Sequence, residues 1–413
     1  MKIKLLSILL LLTVSAISQN SYSLHSRVKD FTPQIILNNT NGFNNFNSIS
    51  SDLIILDFFG TWCIPCIKAL PLLSSLQQQF GSKLTTLLIS NEQKIRLEKF
   101  ISNRQPFPFP VVADEDNSIT ALFAPPAYPY TVVLNREKEI IALTDAESIT
   151  AEKIQEWLAG KKDNKTAATE KNTVMTPVNL LSANKLVQLS QEFMYAAKTG
   201  DSTISFAEKL AGLAYADLKT GLPSDEEKKA FWINLYNGYT NMILKADPGK
   251  YKKRSTFFGS KQINIAGSSF SLDDIEHGIL RRSKIKWSLG HLNKWFPNKT
   301  ERALRVKELD YRLHFALNCG AKSCPPIAFY NPENLNPQLE LATASYLKSE
   351  VEYDAVSNTV KLPAIMGWFR RDFGGKQKMI ALLKEKKIIP QKANPRIRFK
   401  TYDWTLYTDN YKN

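Results

Sequence analysis

Ile55-Leu56-Asp57-Phe58-Phe59-Gly60-Thr61-Trp62-Cys63-Ile64-Pro65-Cys66 is the stretch that decides how this chain reads. An apolar, strand-like run over 53–59 leads into the Cys-X-X-Cys pair, and a helical pattern over 67–80 follows it. Two residues between the cysteines let a helix N-terminus present the first sulfur while the second waits one turn behind. The free N–H groups and the helix dipole stabilise a thiolate there, so Cys63 becomes nucleophilic near neutral pH. Pro65 costs little, because the first helical turn makes no internal hydrogen bond at that position. The rival chemistry for such a pair is half of a zinc site. That needs two more ligands close by, and neither Cys nor His occurs between Cys66 and His277.

The segment from Ile55 to Cys66 resembles the active-site segment of thioredoxins, and more closely that of the TlpA/ResA-like exported reductases. The resemblance spans residues 25–160. It implies an α/β thioredoxin-like fold in which Cys63 attacks the substrate disulfide and Cys66 resolves the mixed disulfide. Asp57 matches the buried carboxylate that takes and gives the proton of the second thiol, and Trp62 belongs to the same signature. Pro129, in Tyr128-Pro129-Tyr130-Thr131, matches the cis-proline that faces the pair. Two residues depart from the family. Ile-Pro stands between the cysteines where Gly-Pro or Glu-Pro is frequent, and Tyr130 follows the proline where Thr is usual. Cys63 is expected to be the more exposed thiol and Cys66 the buried one.

The chain has 413 residues, enough for two or three domains. Met1-Lys2-Ile3-Lys4, the apolar run over 5–14 and the small residues Ala16 and Ser18 read as a signal peptide over 1–18. The apolar run is too short to span a bilayer, so a membrane tether requires an uncleaved segment. The expected location is exported, periplasmic or extracellular. A thioredoxin-like domain fits there, because thiols in an oxidising compartment need dedicated chemistry to stay reduced. The expected division is a thioredoxin-like domain over 19–160, a polar linker over 161–178 and a separate, helix-rich α+β domain over 179–413. Charge supports the division. Residues 19–160 hold 11 Lys/Arg against 14 Asp/Glu, and residues 179–413 hold 37 against 23. The basic half reads as a solvated face, or as attraction to an acidic cell-surface partner such as anionic polymer or phospholipid heads. Nothing in the chain reads as a nucleic-acid-binding motif.

In the first half, strand patterns at 53–59, 84–90, 109–112, 131–135 and 140–143 alternate with helical ones at 67–80, 92–102, 117–123 and 150–158. In the second half, helices are expected over 186–198 and 206–219, and from Ser224, whose pairing with Glu227 makes a capping box. Ser271 with Asp274 opens another. The region 311–319 reads as strand or helix. A hairpin is expected around Ser357-Asn358, and a last strand over 403–407.

Ala230-Phe231-Trp232-Ile233-Asn234-Leu235-Tyr236-Asn237, the run from Ser271 to Arg281, and His314-Phe315-Ala316-Leu317-Asn318-Cys319-Gly320-Ala321-Lys322-Ser323-Cys324-Pro325-Pro326 resemble the motif blocks of the family catalogued as domain of unknown function 547, over residues 183–390. The resemblance implies no activity. Four readings of Cys319 and Cys324 stay open: a structural disulfide, a nucleophile served by His277 or His314, a zinc site using both pairs, and inert buried thiols. If 311–319 is a strand, the odd spacing from His314 to Cys319 favours His277 as partner. Glu276 faces away from His277 on a regular helix. Trp232, Asn234, Tyr236 and Asn237 read as core, and Arg281-Arg282 and Arg370-Arg371 as solvated faces.

The expected function is an exported thiol–disulfide oxidoreductase, a reductase, acting on protein disulfide clients or on Cys319–Cys324 in the same chain. It needs no cofactor beyond its dithiol, and the sequence names no electron donor. Two alternatives concern the second domain: a cysteine hydrolase or transferase whose thiol the first domain keeps reduced, and a binding module that recruits clients.

Overall fold

The computed structural model describes residues 22–39, 42–61, 63–125, 128–163, 182–325 and 327–407. The signal segment, most of the linker and Trp62 lie outside the described residues.

The first domain is a six-stranded mixed sheet. Its strands are β1 (Ile36–Leu37), β2 (Leu53–Phe58), β3 (Leu84–Ser90), β4 (Val111–Ala113), β5 (Tyr130–Asn135) and β6 (Ile140–Thr144), in the order β1-β4-β3-β2-β5-β6. β2, β3 and β4 run parallel, and β5 pairs antiparallel with β2. Every residue of β2 is buried, which is why that strand is a continuous apolar run and not an alternating one. The helices are α1 (Ile64–Phe80), α2 (Lys94–Ser102), α3 (Ser118–Phe123) and α4 (Ala151–Leu158). β4 begins two residues later than its apolar pattern, because Pro110 has no N–H to give the ladder.

The second domain opens with α5 (Lys185–Thr199), α6 (Ile204–Ala211), α7 (Tyr215–Thr220) and α8 (Asp225–Ala246). The single helix expected over 206–219 is two, because α6 stops at Gly212. The capping box at Ser224 and Glu227 is present. α8 is buried on nearly all sides, so its sequence carries aromatics around the whole circumference. Ser271 Oγ accepts from the Asp274 N–H at the start of a short π-helix, Asp274–Leu280. Residues Tyr311–Phe315 form one 3-10 turn. The expected hairpin pairs Glu352–Asp354 with Thr359–Leu362. The third strand beside it is Arg396–Phe399, parallel to Thr359–Leu362, and not 403–407. That last segment makes one bridge, Leu406 to Ala321. Among the described residues no helix is long and apolar enough to cross a membrane.

Candidate functional site

β2 feeds directly into the Cys63–Cys66 pair, which forms a disulfide with the Cα atoms 5.2 Å apart. Cys63 is the N-cap of α1, and the Cys66 N–H donates to Cys63 Sγ at 3.3 Å. This is the geometry that favours a thiolate on Cys63 once the bond opens. One strand over, Thr131 on β5 lies opposite Asp57 in register and donates through Oγ1 to Asp57 Oδ1 at 2.6 Å. Asp57 Oδ2 is buried with no partner. Burial pushes the Asp57 carboxyl up to about 7. The group can therefore hold or release a proton near neutral pH. The Tyr128–Pro129 bond is cis and immediately precedes β5, whose Tyr130 pairs with Phe58 at the end of β2.

Cys63 is not the exposed thiol that the sequence of the first domain alone leads one to expect. Both Cys63 and Cys66 are 0% exposed. They share their buried cluster with side chains of the second domain. Met194 and Tyr195 from α5, with Ile327 and Phe329 from the segment after Cys324, belong to the same apolar cluster as Cys63, Cys66 and Tyr128. A polar knot pins the contact. The Thr61 N–H donates to Glu92 Oε2 at 2.6 Å, and the Tyr195 hydroxyl donates to Glu92 Oε1 at 2.6 Å. The Thr61 and Tyr195 hydroxyls are 2.5 Å apart. The Arg96 guanidinium lies 3.8 Å over the Tyr195 ring, and Lys99 pairs with Asp201. Lys198, also buried here, has its amine pushed down to about 7, by burial first and then by Lys245.

The second pair of cysteines has the opposite setting. Cys319 and Cys324 form a disulfide, both are half-buried, and Cys319 lines a cavity of about 290 Å³. His277, His314, Glu276, Tyr236 and Tyr402 line it too. The Tyr402 hydroxyl is 3.2 Å from Cys319 Sγ and 3.1 Å from Cys324 Sγ. His314 Nε2 is 2.9 Å from Asp372 Oδ2, which also accepts from Arg281 Nε at 2.7 Å. His277 Nδ1 is 3.0 Å from Arg281 Nη1. Glu276 is held by the Tyr236 hydroxyl at 3.3 Å, and burial pushes its carboxyl up to about 7.

Three expectations change here. His314 is not on a strand, so the parity argument against it fails; both histidines reach the cavity. Glu276 does not face away from His277, because the wider π-helix brings its Oε1 to 3.6 Å from Nδ1. Arg281 is fully buried and paired with Asp372, whereas Arg282, Arg370 and Arg371 are exposed as expected. Among the described residues no group of three or more His, Cys, Asp or Glu side chains is placed to hold a metal ion.

Residues 26–143 match the family model described as AhpC/TSA family, and residues 220–347 match the one described as "Protein of unknown function, DUF547". The chain joins a thioredoxin-like domain to a DUF547 domain. The thiol-disulfide oxidoreductase ResA of Bacillus subtilis (strain 168) is 29% identical over 112 residues, 26% of this chain and 62% of the relative. ResA of Bacillus thuringiensis (strain Al Hakam) is 26% identical over 109 residues, 26% of this chain and 60% of the relative. The chain thus spans about three fifths of the curated relatives it matches. Among solved structures, StoA from Bacillus subtilis is similar at 24% identity, covering 31% of this chain and 96% of that one, with a TM-score of 0.26.

Within the DUF547 domain, two of the aromatic-block residues are scaffolding. Asn234 donates to Tyr330 O at 2.9 Å and accepts from Tyr330 N at 3.0 Å, which fixes the segment that meets the thioredoxin-like domain. Asn237 does the same for the cysteine loop, donating to Ala316 O at 2.9 Å and accepting from Asn318 N at 2.8 Å. Tyr236, read as core, also borders the cavity. Sequence reasoning misses Asp372, Tyr402, Glu92 and Tyr195. Asp372 and Tyr402 lie beyond the matched residues, and no local pattern marks any of the four.

Proposed function

We propose that the chain is an exported thiol–disulfide oxidoreductase, working as a reductase, whose first substrate is its own Cys319–Cys324 disulfide. The observation that supports the reading is that Ile327 and Phe329, three and five residues after Cys324, belong to the same buried apolar cluster as Cys63. A dithiol buried in one cluster with the segment that follows a second pair meets that pair at a high effective concentration. The dithiol Cys63/Cys66 gives two electrons and two protons to the second pair, and Asp57 handles the proton of Cys66. Protein disulfide clients are then reached through the half-buried second pair, or after the domains part. A Cys66→Ser variant tests this. It is expected to accumulate an intramolecular mixed disulfide between Cys63 and Cys319 or Cys324, seen by peptide mapping without reduction. Adducts formed only between chains, with the second pair intact, would sink the in-chain step.

The basic domain suits an acidic surface at the cell envelope. Trp295 and Phe296 are 87% and 93% exposed, and Trp287 is exposed beside them in sequence, within a segment carrying Arg282 and Lys299. Aromatic side chains flanked by cations sit well at an anionic lipid interface. Co-sedimentation with phosphatidylglycerol vesicles is expected, with loss in the Trp295→Ser/Phe296→Ser variant; equal binding to phosphatidylcholine would refute it.

A further inference from the structure

We infer that the DUF547 cavity is a second active site, a cysteine-nucleophile site for acyl compounds (amides, esters or thioesters) that carry an apolar group. Cys319 is the nucleophile, His314 its base, and His277 the donor to the carbonyl oxygen. Asp372 and Arg281 are positioning residues.

The protonation of the two histidines follows from their partners. Arg281 has only N–H groups to offer, so Nδ1 of His277 accepts and Nε2 carries the hydrogen. Burial, then the Arg281 charge, holds His277 well below its usual range and keeps it neutral. Its Nε2–H lies 3.5 Å from Asp273 Oδ1 at the cavity wall, too far for a strong hydrogen bond, and is the donor left for a ligand. His314 is the reverse. Burial opposes ionisation of Asp372, but hydrogen bonds from His314 and Arg281 outweigh it and keep the carboxylate charged. The carboxylate takes the Nε2–H of His314, leaving Nδ1 as the nitrogen available to a proton from the cavity. One carboxylate thus orients a base, and one guanidinium serves both histidines.

This arrangement is costly to maintain as mere packing. Arg281 and Asp372 are both fully buried, and taking such charges out of water costs several kcal/mol per ion before pairing. Arg281 Nη2 and Asp372 Oδ1 lack partners even so. Charge sets of this kind concentrate where chemistry is done. The aromatic part of the lining suits an apolar acyl or leaving group: Trp368 and Trp404 stack at 5.5 Å, with the Tyr402 ring 4.6 Å from Trp404.

In the forward step the Cys319 thiol gives its proton to His314 Nδ1 as sulfur bonds to the carbonyl carbon. The carbonyl oxygen is held by His277 Nε2–H. The leaving group departs with the proton from His314. Water then attacks the thioester, loses a proton to His314, and releases the acid and the free thiol. No electrons move. While Cys319 is bonded to Cys324 the nucleophile is absent, so the site is switched on by a dithiol that reduces the pair.

The test uses the full-length Cys324→Ser protein, which leaves Cys319 free without any reductant and so does not depend on Cys63. Its probes are iodoacetamide and 4-nitrophenyl acetate. Cys319 is expected to alkylate at pH 7 about tenfold or more faster than an ordinary thiol of pKa ~8.5. A burst of about one nitrophenolate per chain should accompany acetylation of the Cys319 peptide. Adding His314→Gln should lower the burst rate roughly 100-fold and shift the alkylation profile toward higher pH. Asp372→Asn should shift the same profile. A Cys324→Ser protein whose Cys319 titrates as an ordinary thiol, or whose acetyl group lies elsewhere, overturns the proposal without any further variant.

Discussion

Replacing Cys63 with Ser is expected to bring insulin reduction by the full chain, driven by dithiothreitol, down to the rate of dithiothreitol alone. The expectation is sharp because the chain offers two candidate entry points. Cys63 caps α1 and gains the thiolate stabilisation, but it is covered. Cys319 is half-buried and open to a cavity, but its loop is not a helix N-terminus. If Cys63 is the nucleophile that charges the second pair, the Cys63→Ser variant leaves Cys319–Cys324 oxidised and both routes stop. Cys66→Ser should behave differently, keeping the first attack and losing turnover. Wild-type turnover in Cys63→Ser would show that the second pair takes electrons directly, and the assignment of roles would be wrong.

Asp57→Asn is expected to do two opposite things. It should stabilise the thioredoxin-like domain at pH 8 and slow exchange. The folded-state carboxyl titrates near 7, against an ordinary value of 3.8. The folded chain therefore binds a proton more tightly than the unfolded chain between those values. Stability on this account falls as pH rises through that window, and the full penalty is present above it. A rise of that size corresponds to about 4 kcal/mol. Asn removes the charge but leaves an unpaired amide where Oδ2 now lies, which returns about 1–3 kcal/mol. The net gain should be on the order of 2 kcal/mol at pH 8 and turn into a loss of about 1–3 kcal/mol at pH 4, where the carboxyl is protonated and only the amide cost remains. Exchange should slow by ~100-fold, because the buried thiol has lost its proton acceptor. Denaturant melts at the two pH values and stopped-flow thiol release measure the two effects. A variant that is less stable at pH 8 than at pH 4, relative to wild type, would contradict the burial argument.

The parts of this protein that are legible in its sequence are those whose partners are near in the chain. Cys63, Cys66, the strand before them and the helix after them fit within thirty residues, and so do the capping box at Ser224 and the hairpin at Ser357-Asn358. The thioredoxin-like sheet follows from strand and helix periods. The rest depends on distant partners. Tyr195 meets Glu92 across 103 residues, Arg281 meets Asp372 across 91, and His314 meets Asp372 across 58. No local spacing can announce such a pair. Glu276 departs from expectation for another reason: regular helical geometry does not hold there, and a π-helix shifts which side chains share a face. The exposure expected of Cys63 leaves out Met194, Tyr195, Ile327 and Phe329, which share its buried cluster from far along the chain.

That last point bears on how the protein is handled at the bench. Cutting the chain at its linker would part side chains that the intact chain packs together. The amino-terminal fragment would keep Glu92 and Thr61 without Tyr195, and the cluster that holds its dithiol would lose Met194, Ile327 and Phe329. Its thiol–disulfide exchange would no longer be shaped by the second domain. The carboxy-terminal fragment would show Met194, Tyr195, Ile327 and Phe329 to solvent, a greasy face prone to self-association. Selectivity measured on either fragment would describe the fragment, and the intact chain is the unit whose substrate preferences carry meaning.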